Sequence, residues 1–307
     1  MPAGCDGALR DFKKMVEVSV LIVNYNTAAE VIQCVQSVLQ QQHLSFDIWV
    51  IDNASLDPSV ARLKDTFGAR IHVIENPTNV GFGAANNIGA IHASGEYLYL
   101  LNPDAQLTQA NSLSQLLAFL KDKPLCGLAG TRIIETATKR EIKAAYHYPG
   151  QAHLKNTAGF TALPGKIAWI QGSSMLIKKS LFDQLHGFDN DYFLYAEETD
   201  LCLRVRQAGY SIEVCEDASV EHIGGASQRH EKIAATRLKK QQALYLFYQK
   251  HYSRADCQYL AKRALRHAYW KTLWLRAQRL FKRPTEVALI RQQVIRDAAQ
   301  AFLFIKE

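Results

Sequence analysis

Five apolar or aromatic residues in a row, Tyr97 to Leu101, followed at once by Asn102-Pro103-Asp104, constrain this chain more than any other stretch. A run of that length without polar alternation is the pattern of a strand covered on both faces. Proline has no N–H to give a central ladder, so the strand ends there and Asp104 is left at its C-terminal tip. In open α/β sheets, ligands bind outside the carboxyl ends of the strands. A carboxylate at such a tip suits a divalent cation held against a diphosphate, because magnesium takes one or two carboxylates plus phosphate oxygens. Taken alone, the same residues also describe a polar turn that caps a strand.

The chain before this stretch alternates regularly. Residues 16–23 form a β-branched strand ending in Asn24-Tyr25-Asn26-Thr27, and Thr27 can cap a helix carrying Val31, Cys34, Val35, Val38 and Leu39 at helical spacing. A second strand, 46–51, closes on Asp52-Asn53-Ala54-Ser55; then follow a helix over 59–67, a strand over 70–75 and a small-residue helix over 84–94. Alternation of this kind predicts right-handed βαβ units and a largely parallel sheet. An acid after the second strand stands where mononucleotide folds hydrogen-bond a base or ribose, although an isolated Asp-Asn is commonly a cap or turn. Gly81-Phe82-Gly83 allows close backbone approach, but neither Gly-x-Gly-x-x-Gly nor Gly-Lys-Ser/Thr occurs. The dinucleotide fingerprint and the P-loop are therefore absent.

Beyond Asp104 the pattern predicts a helix over 112–120, a strand over 125–134 and a long loop over 135–166, of the kind that covers a site. Residues 167–177 read as a strand pair broken at Gly172, and 178–185 as a short helix. Tyr192-Phe193-Leu194-Tyr195 then introduces Glu197-Glu198-Thr199-Asp200, three carboxylates at the start of a helix that ends at Gly209. The helix dipole favours each by ~0.3–1 kcal/mol, so an acidic first turn is one explanation. A carboxylate beside aromatics and like charges also acquires the raised pKa that a general base needs. A strand over 210–215 leads to a loop holding His222, which can complete a metal shell, touch phosphate, or simply be polar.

Six cysteines lie scattered without a Cys-x-x-Cys pair, as reduced thiols do in cytosolic proteins. No apolar h-region marks the N-terminus, and no window approaches the ~18 apolar residues of a membrane span. A cytoplasmic protein is expected, or one peripheral on the inner face of the cytoplasmic membrane. The net charge of +7 is uneven: from Arg229 to Arg283, 15 Lys and Arg face 2 acids, so this segment carries +13 and the remainder −6. Helical spacing runs through this tail, and Arg263, Arg266, Trp270, Lys271, Trp274, Arg276, Arg279, Phe281, Lys282 and Arg283 interleave cations with large aromatics. That composition suits an interfacial helix on anionic lipid. Packing on the preceding body and a dimer interface compete with it, and phosphate contacts to nucleic acid are the least favoured use.

Taken together the motifs resemble the inverting family-2 glycosyltransferases of GT-A fold, in their bacterial rhamnosyltransferase-like branch. The resemblance rests on 20–26, Ile51-Asp52-Asn53-Ala54-Ser55, Asn79-Val80-Gly81-Phe82-Gly83 with Asn86-Asn87, Leu101-Asn102-Pro103-Asp104 and Gln171-Gly172-Ser173. It continues through Gly187-Phe188-Asp189, Glu197-Glu198-Thr199-Asp200-Leu201-Cys202-Leu203-Arg204 and His222-Ile223-Gly224-Gly225-Ala226-Ser227, all in the family's order. It covers residues 16–228 and implies a catalytic domain there with a mostly parallel sheet flanked by helices; an N-terminal tail (1–15) and the basic helical extension (229–307) lie outside it. It further implies a nucleotide-diphosphate sugar donor (dTDP-, UDP- or GDP-linked), Mg²⁺ or Mn²⁺, and a glycan or lipid-linked acceptor. Donor contacts would fall on Asn24, Tyr25, Asn26, Asp52, Asn53, Gly83, Asn86 and Asn102, and acceptor contacts on Trp169, Gln171, Gly172 and Glu197.

Asn102-Pro103-Asp104 stands in place of the family's Asp-x-Asp, so the resemblance leaves metal binding to Asp104, with His222 as its candidate companion. In the family's Glu-Asp motif the second acid is the base; here that position is Glu198, with Asp200 as the fallback. A sugar nucleotidyltransferase would share the sheet and the metal carboxylates, but it carries a glycine- and arginine-rich phosphate loop that Asn24-Tyr25-Asn26 does not supply. A non-catalytic nucleotide-binding module is the third possibility.

Overall fold

β-Branched residues fill the first strand, β1 (Val18–Asn24), which is buried along its whole length. In the computed structural model, which describes residues 16–226, 232–279 and 285–304, β1 is flanked by β2 (Phe46–Asp52) and β4 (Tyr97–Leu101), with β3 (His72–Glu75) outside β2. The N-terminal tail, Ser227 of the last motif, and Arg229, Phe281, Lys282 and Arg283 of the basic segment lie outside the described residues. These four strands are parallel, as the alternation predicts, and α1 (Ala28–Leu39), α2 (Ser59–Phe67) and α3 (Phe82–His92) connect them. Register brings Asn24 beside Asp52, and Ile22 beside Leu101, so the polar clusters after β1, β2 and β4 share one rim.

The remaining elements are β5 (Ala105–Leu107), α4 (Ser112–Lys121), β6 (Cys126–Glu135), β7 (Glu141–Ile142), α5 (Ala158–Thr161), β8 (Ser174–Lys178), α6 (Lys179–Gln184), α7 (Glu197–Gln207) and β9 (Ser211–His222). Three further helices follow: α8 (Ile233–His251), α9 (Arg254–Arg279) and α10 (Glu286–Phe304). The sheet runs β3-β2-β1-β4-β8-β6-β9-β5, with β7 on β6. Its second half is mixed: β8 runs antiparallel to both β4 and β6, while β9 is parallel to β6 and antiparallel to β5.

Two expectations change here. The strand pair over 167–177 is a single strand, β8; ahead of it Trp169 only bridges to Ala145, and Gly172 lies in the turn. The strand over 210–215 continues to His222, so this histidine ends a strand instead of sitting in a loop. A bulge where Thr131 and Arg132 pair with Cys215 and Ser219 interrupts the alternation and hides the continuation.

One sheet face carries α1, α2 and α4 through Val31, Val35, Leu63, Leu113 and Leu116; the other carries α3, α6 and α7 through Ala85, Phe182, Leu201 and Val205. A third cluster joins Tyr148, Tyr192 and Leu203 to Phe247, Tyr252, Leu260 and Ala298 of the C-terminal helices. Fully burying a side chain such as Phe247 contributes about 1.5–3 kcal/mol, so α8 is fixed to the body. The long 135–166 segment is tied down by buried Arg206, whose guanidinium donates to the carbonyls of Leu163, Pro164 and Gly165 and to the Tyr148 hydroxyl.

Candidate active site

Strand pairing builds one half of the site. Proline ends β4 after Asn102, whose N–H donates to the Ser173 carbonyl (3.1 Å), and the chain turns directly into β5. Because Ala105 pairs with His222 across β5 and β9, the neighbouring Asp104 meets that imidazole: Oδ1 lies 3.1 Å from Nε2. Asp104 Oδ2 accepts the Ala226 N–H (3.3 Å), and Asn102 Nδ2 lies 3.4 Å from the same imidazole nitrogen. Burial works to raise the Asp104 pKa, but the His222 contact and the Ala226 N–H outweigh it and hold the carboxyl below its usual range. Asp104 is therefore an anion at neutral pH.

Among the described residues no cluster of three or more His, Cys, Asp or Glu side chains could hold a metal ion. The Asp104–His222 pair nevertheless fits a divalent ion that completes its shell with phosphate and water. Adjacent donors in an octahedron with bonds of about 2.1 Å lie ~3.0 Å apart, close to the 3.1 Å between Oδ1 and Nε2. The ionised carboxylate suits either Mn²⁺ or Mg²⁺, and the imidazole beside it, a donor for transition metals, suits Mn²⁺ better.

The other half comes from the first turn of α7. Tyr195 and Ala196 both adopt left-handed backbone angles (φ 74° and 67°), a conformation that side chains with a Cβ rarely take, and so turn Glu197 and Glu198 into the cleft. Gly81 (φ 90°) closes the facing side: a Cβ there would collide with the Phe193 carbonyl, which accepts the Phe82 N–H (3.0 Å). Glu198 packs on Gly172, where a Cβ would stand 3.3 Å from the Glu198 Cβ. One oxygen of each glutamate is buried with no hydrogen-bond partner, as are Gln171 Oε1 and Ser173 Oγ. Such a cluster of unpartnered buried polar atoms marks a surface shaped for a ligand.

Burial raises both glutamate pKa values, and the Glu198 charge raises Glu197 further. At Glu198, N–H groups of the helix start (its own and those of Thr199 and Ala196) and the Lys240 ammonium pull the other way. The larger upward shift therefore falls on Glu197, and Glu198 is the first of the pair to ionise.

Two adjoining cavities share Phe82, Asn102, Leu194 and Gly225. The first is lined by Tyr25, Asn53, Asn79, Asp104, Phe193 and Lys239. The second, of about 430 Å³, is lined by Gln171, Gly172, Glu197, Glu198, His222 and Lys240. The structure thus brings together Tyr25, Asn53, Asn102, Asp104, Gln171, Gly172, Glu197, Glu198 and His222 of the residues expected from sequence.

The other expected residues stand behind the cleft or away from it. Asp52 is 3% exposed, and its oxygens accept from Asn24 Nδ2 (2.7 Å) and Ser55 N (2.9 Å); Asn24 also donates to Ser55 Oγ and accepts from Thr27. These two hold the rim in shape and line neither cavity. Asn26 Oδ1 accepts the Leu56 and Asp57 N–H groups, and Asn86, buried inside α3, donates to the Phe82 carbonyl. Gly83 is a packing position, where a Cβ would lie 2.8 Å from the Phe188 Cβ. Trp169 donates to the His147 carbonyl (3.2 Å) and packs into the core. Asp200 lines neither cavity. It is 1% exposed, with Arg204 Nε at 2.7 Å from one oxygen and His251 Nε2 at 2.7 Å from the other.

Lys239 and Lys240 were not legible in the sequence. Both lie on α8, where they stack over the Phe193 and Tyr195 rings (5.7 and 4.7 Å), and a Lys-Lys pair in a basic tail carries no signal of facing a cleft.

A parallel sheet that turns mixed after a polar tip, with a carboxylate there and glutamates across the cleft, defines a GT-A glycosyltransferase. The chain belongs to glycosyl transferase family 2, whose profile matches residues 19–186, more than half its length. It is 22% identical over 218 residues to the O-antigen chain rhamnosyltransferase RfbN of Salmonella typhimurium, covering 70% of this chain and 69% of that one. It is 26% identical over 185 residues to the O-antigen chain rhamnosyltransferase WbaN of Salmonella anatum, covering 59% of this chain and 58% of that one. Among solved structures it is similar in fold to the mannosyltransferase PcManGT from Pyrobaculum calidifontis in complex with GDP-Man and Mn²⁺. That match has a TM-score of 0.60 and 18% identity, over 96% of this chain and 89% of that one.

Proposed function

We propose that this glycosyltransferase moves a sugar of the rhamnose class from a nucleotide diphosphate to a hydroxyl of a glycan or lipid-linked acceptor, inverting the anomeric carbon. The observation that carries the proposal is the pair of cavities meeting at Asn102 and Leu194, with Asp104 lining one and Glu198 the other. The names of the two Salmonella relatives support the sugar class, and the GDP-Man and Mn²⁺ in the Pyrobaculum complex support a nucleotide donor with a divalent ion.

In this scheme Tyr25, Asn53 and Asn79 take the nucleoside, and Lys239 lies toward its phosphates. Gln171 and Gly172 border the acceptor. Ionised Glu198 accepts the proton of the acceptor hydroxyl as that oxygen bonds to the anomeric carbon and the bond to the diphosphate oxygen breaks. Glu197, neutral beside it, donates a hydrogen bond instead of competing for the proton. Asp104 and His222 would hold Mg²⁺ or Mn²⁺, which when bound supplies charge neutralisation on the departing diphosphate.

Incubation with dTDP-, UDP- and GDP-sugars, with and without Mn²⁺ or Mg²⁺, tests the proposal and identifies the donor. Metal-dependent release of nucleoside diphosphate together with transfer to an acceptor is the expected result. Pyrophosphate release would mark a nucleotidyltransferase, and no turnover with any donor and acceptor a binding module; either would overturn it.

A further inference from the structure

Helix α9 divides into two faces that the catalytic chemistry does not require. Cys257, Leu260, Ala261, Ala268, Thr272 and Leu275 are buried, and α8 and α10 pack along the helix. At 100° per residue these positions fall on one side. On the opposite side stand Tyr259, Lys262, Arg266, Trp270, Leu273 and Trp274, all exposed. Trp270 is 68% and Trp274 50% exposed, and Tyr269 beside them 53%. Two tryptophans one turn apart, left in water on a helix with a well-packed inner face, form a patch that folding alone does not account for.

The charge of this helix is as one-sided as its aromatics. Residues 254–279 carry seven Lys and Arg and a single acid, Asp256, which is engaged with Ser253 at the helix start. Lys271 stacks over Trp274 at 3.8 Å. No described helix is long and apolar enough to cross a membrane, so α9 does not span one. Tryptophan and tyrosine prefer the level of lipid headgroups, while lysine and arginine beside them meet anionic phosphates. A two-fold dimer through this face would crowd Lys262 and Arg266 of one copy against the same basic face of the other, and like charges repel. A nucleic-acid backbone would meet the cations but leave Leu273 and the tryptophan pair uncovered.

We infer that the outer face of α9 is a membrane-docking surface that seats the enzyme on an anionic bilayer, its tryptophans at headgroup depth and its cations on lipid phosphates. This rests on α9 alone and does not depend on the donor, the acceptor or the catalytic base.

The test is co-sedimentation of the full chain with phosphatidylglycerol–phosphatidylcholine vesicles and with pure phosphatidylcholine vesicles. Binding to the anionic vesicles only, weakened by salt, is expected. Lys262→Gln with Arg266→Gln should lower vesicle affinity about thirtyfold, at about fivefold or slightly more per charge. Trp270→Ser with Trp274→Ser should lower it at least about tenfold, with a blue-shifted tryptophan emission on binding in the parent only. The charge pair touches no core atom, so it remains informative should the tryptophan pair fold poorly. The inference is overturned if the intact protein ignores anionic vesicles or if both double variants bind as the parent does. It is equally overturned if light scattering shows a dimer that the tryptophan substitutions dissociate, with no vesicle binding.

Discussion

Replacing Glu197 by glutamine should make the protein more stable at neutral pH. Glu197 is buried, its Oε2 has no partner, and burial together with the Glu198 charge pushes its pKa far above the ordinary 4.5. The unfolded chain releases this proton near 4.5, whereas the native state retains it. Between those two points the native state binds more protons than the unfolded one, so stability is full below the unfolded value and declines as pH rises toward the folded one. Each pH unit above 4.5 over which the native state holds this proton costs about 1.4 kcal/mol. Glutamine fills the same space and pays no protonation penalty, so Glu197→Gln should gain stability with rising pH at about 1.4 kcal/mol for each unit over which the parent retains the proton. Urea unfolding of both proteins from about pH 5 to about pH 8 reads this directly. The parent's stability should fall across the series, and the variant's should fall by about one proton's slope less. An equal slope in the two proteins, or a variant less stable at pH 7, would refute the assignment of a retained proton to Glu197.

Three further outcomes follow from the same geometry. Asp104→Ala should weaken binding of the donor nucleotide with Mn²⁺ at least about tenfold in calorimetry and leave metal-free binding nearly unchanged, because one of the two side chains proposed to hold the metal is gone. Lys240→Met removes a cation that lowers the Glu198 pKa, so the acidic limb of the pH–rate profile should move to higher pH and kcat/KM should fall on its acid side. Asp200→Asn breaks a buried ion pair by deleting one partner, and should cost about 3–5 kcal/mol in thermal or urea unfolding. Folded at low temperature, that variant should retain kcat within about threefold, since Asp200 pairs with Arg204 one turn on in α7, ties α7 to His251 of α8 and does not line the cleft.

The first half of the sheet was legible because its central strands are mainly apolar and end in polar clusters; β1 and β4 are buried on both faces. Helix α2 begins and ends where its spacing predicts. After Asp104 the periodicity misleads. The β9 bulge conceals the link between residues 215 and 222, and with it the pairing that seats His222 on Asp104. Within the site, residue type pointed to chemistry but not to depth. Asp52 and Asn24 carry the polar atoms a nucleotide needs, yet they spend them on each other, and Asp200 spends both oxygens on Arg204 and His251. Neighbouring Glu197 and Glu198 separate only when burial and the Lys240 ammonium are known, and those depend on where α8 docks. Long-range packing of that kind leaves no local mark on a helix that reads simply as basic and amphipathic.

Glu198→Gln, assayed with the donor found in the nucleotide-sugar panel, bears most directly on the division of labour across the cleft. Transfer to the acceptor should fall by about 10²–10⁴ while the donor nucleotide still binds with Mn²⁺ at nearly parental affinity, since the change removes a base and leaves Asp104 and His222 intact. Near-parental turnover in Glu198→Gln would contradict the assignment of Glu198 as the base.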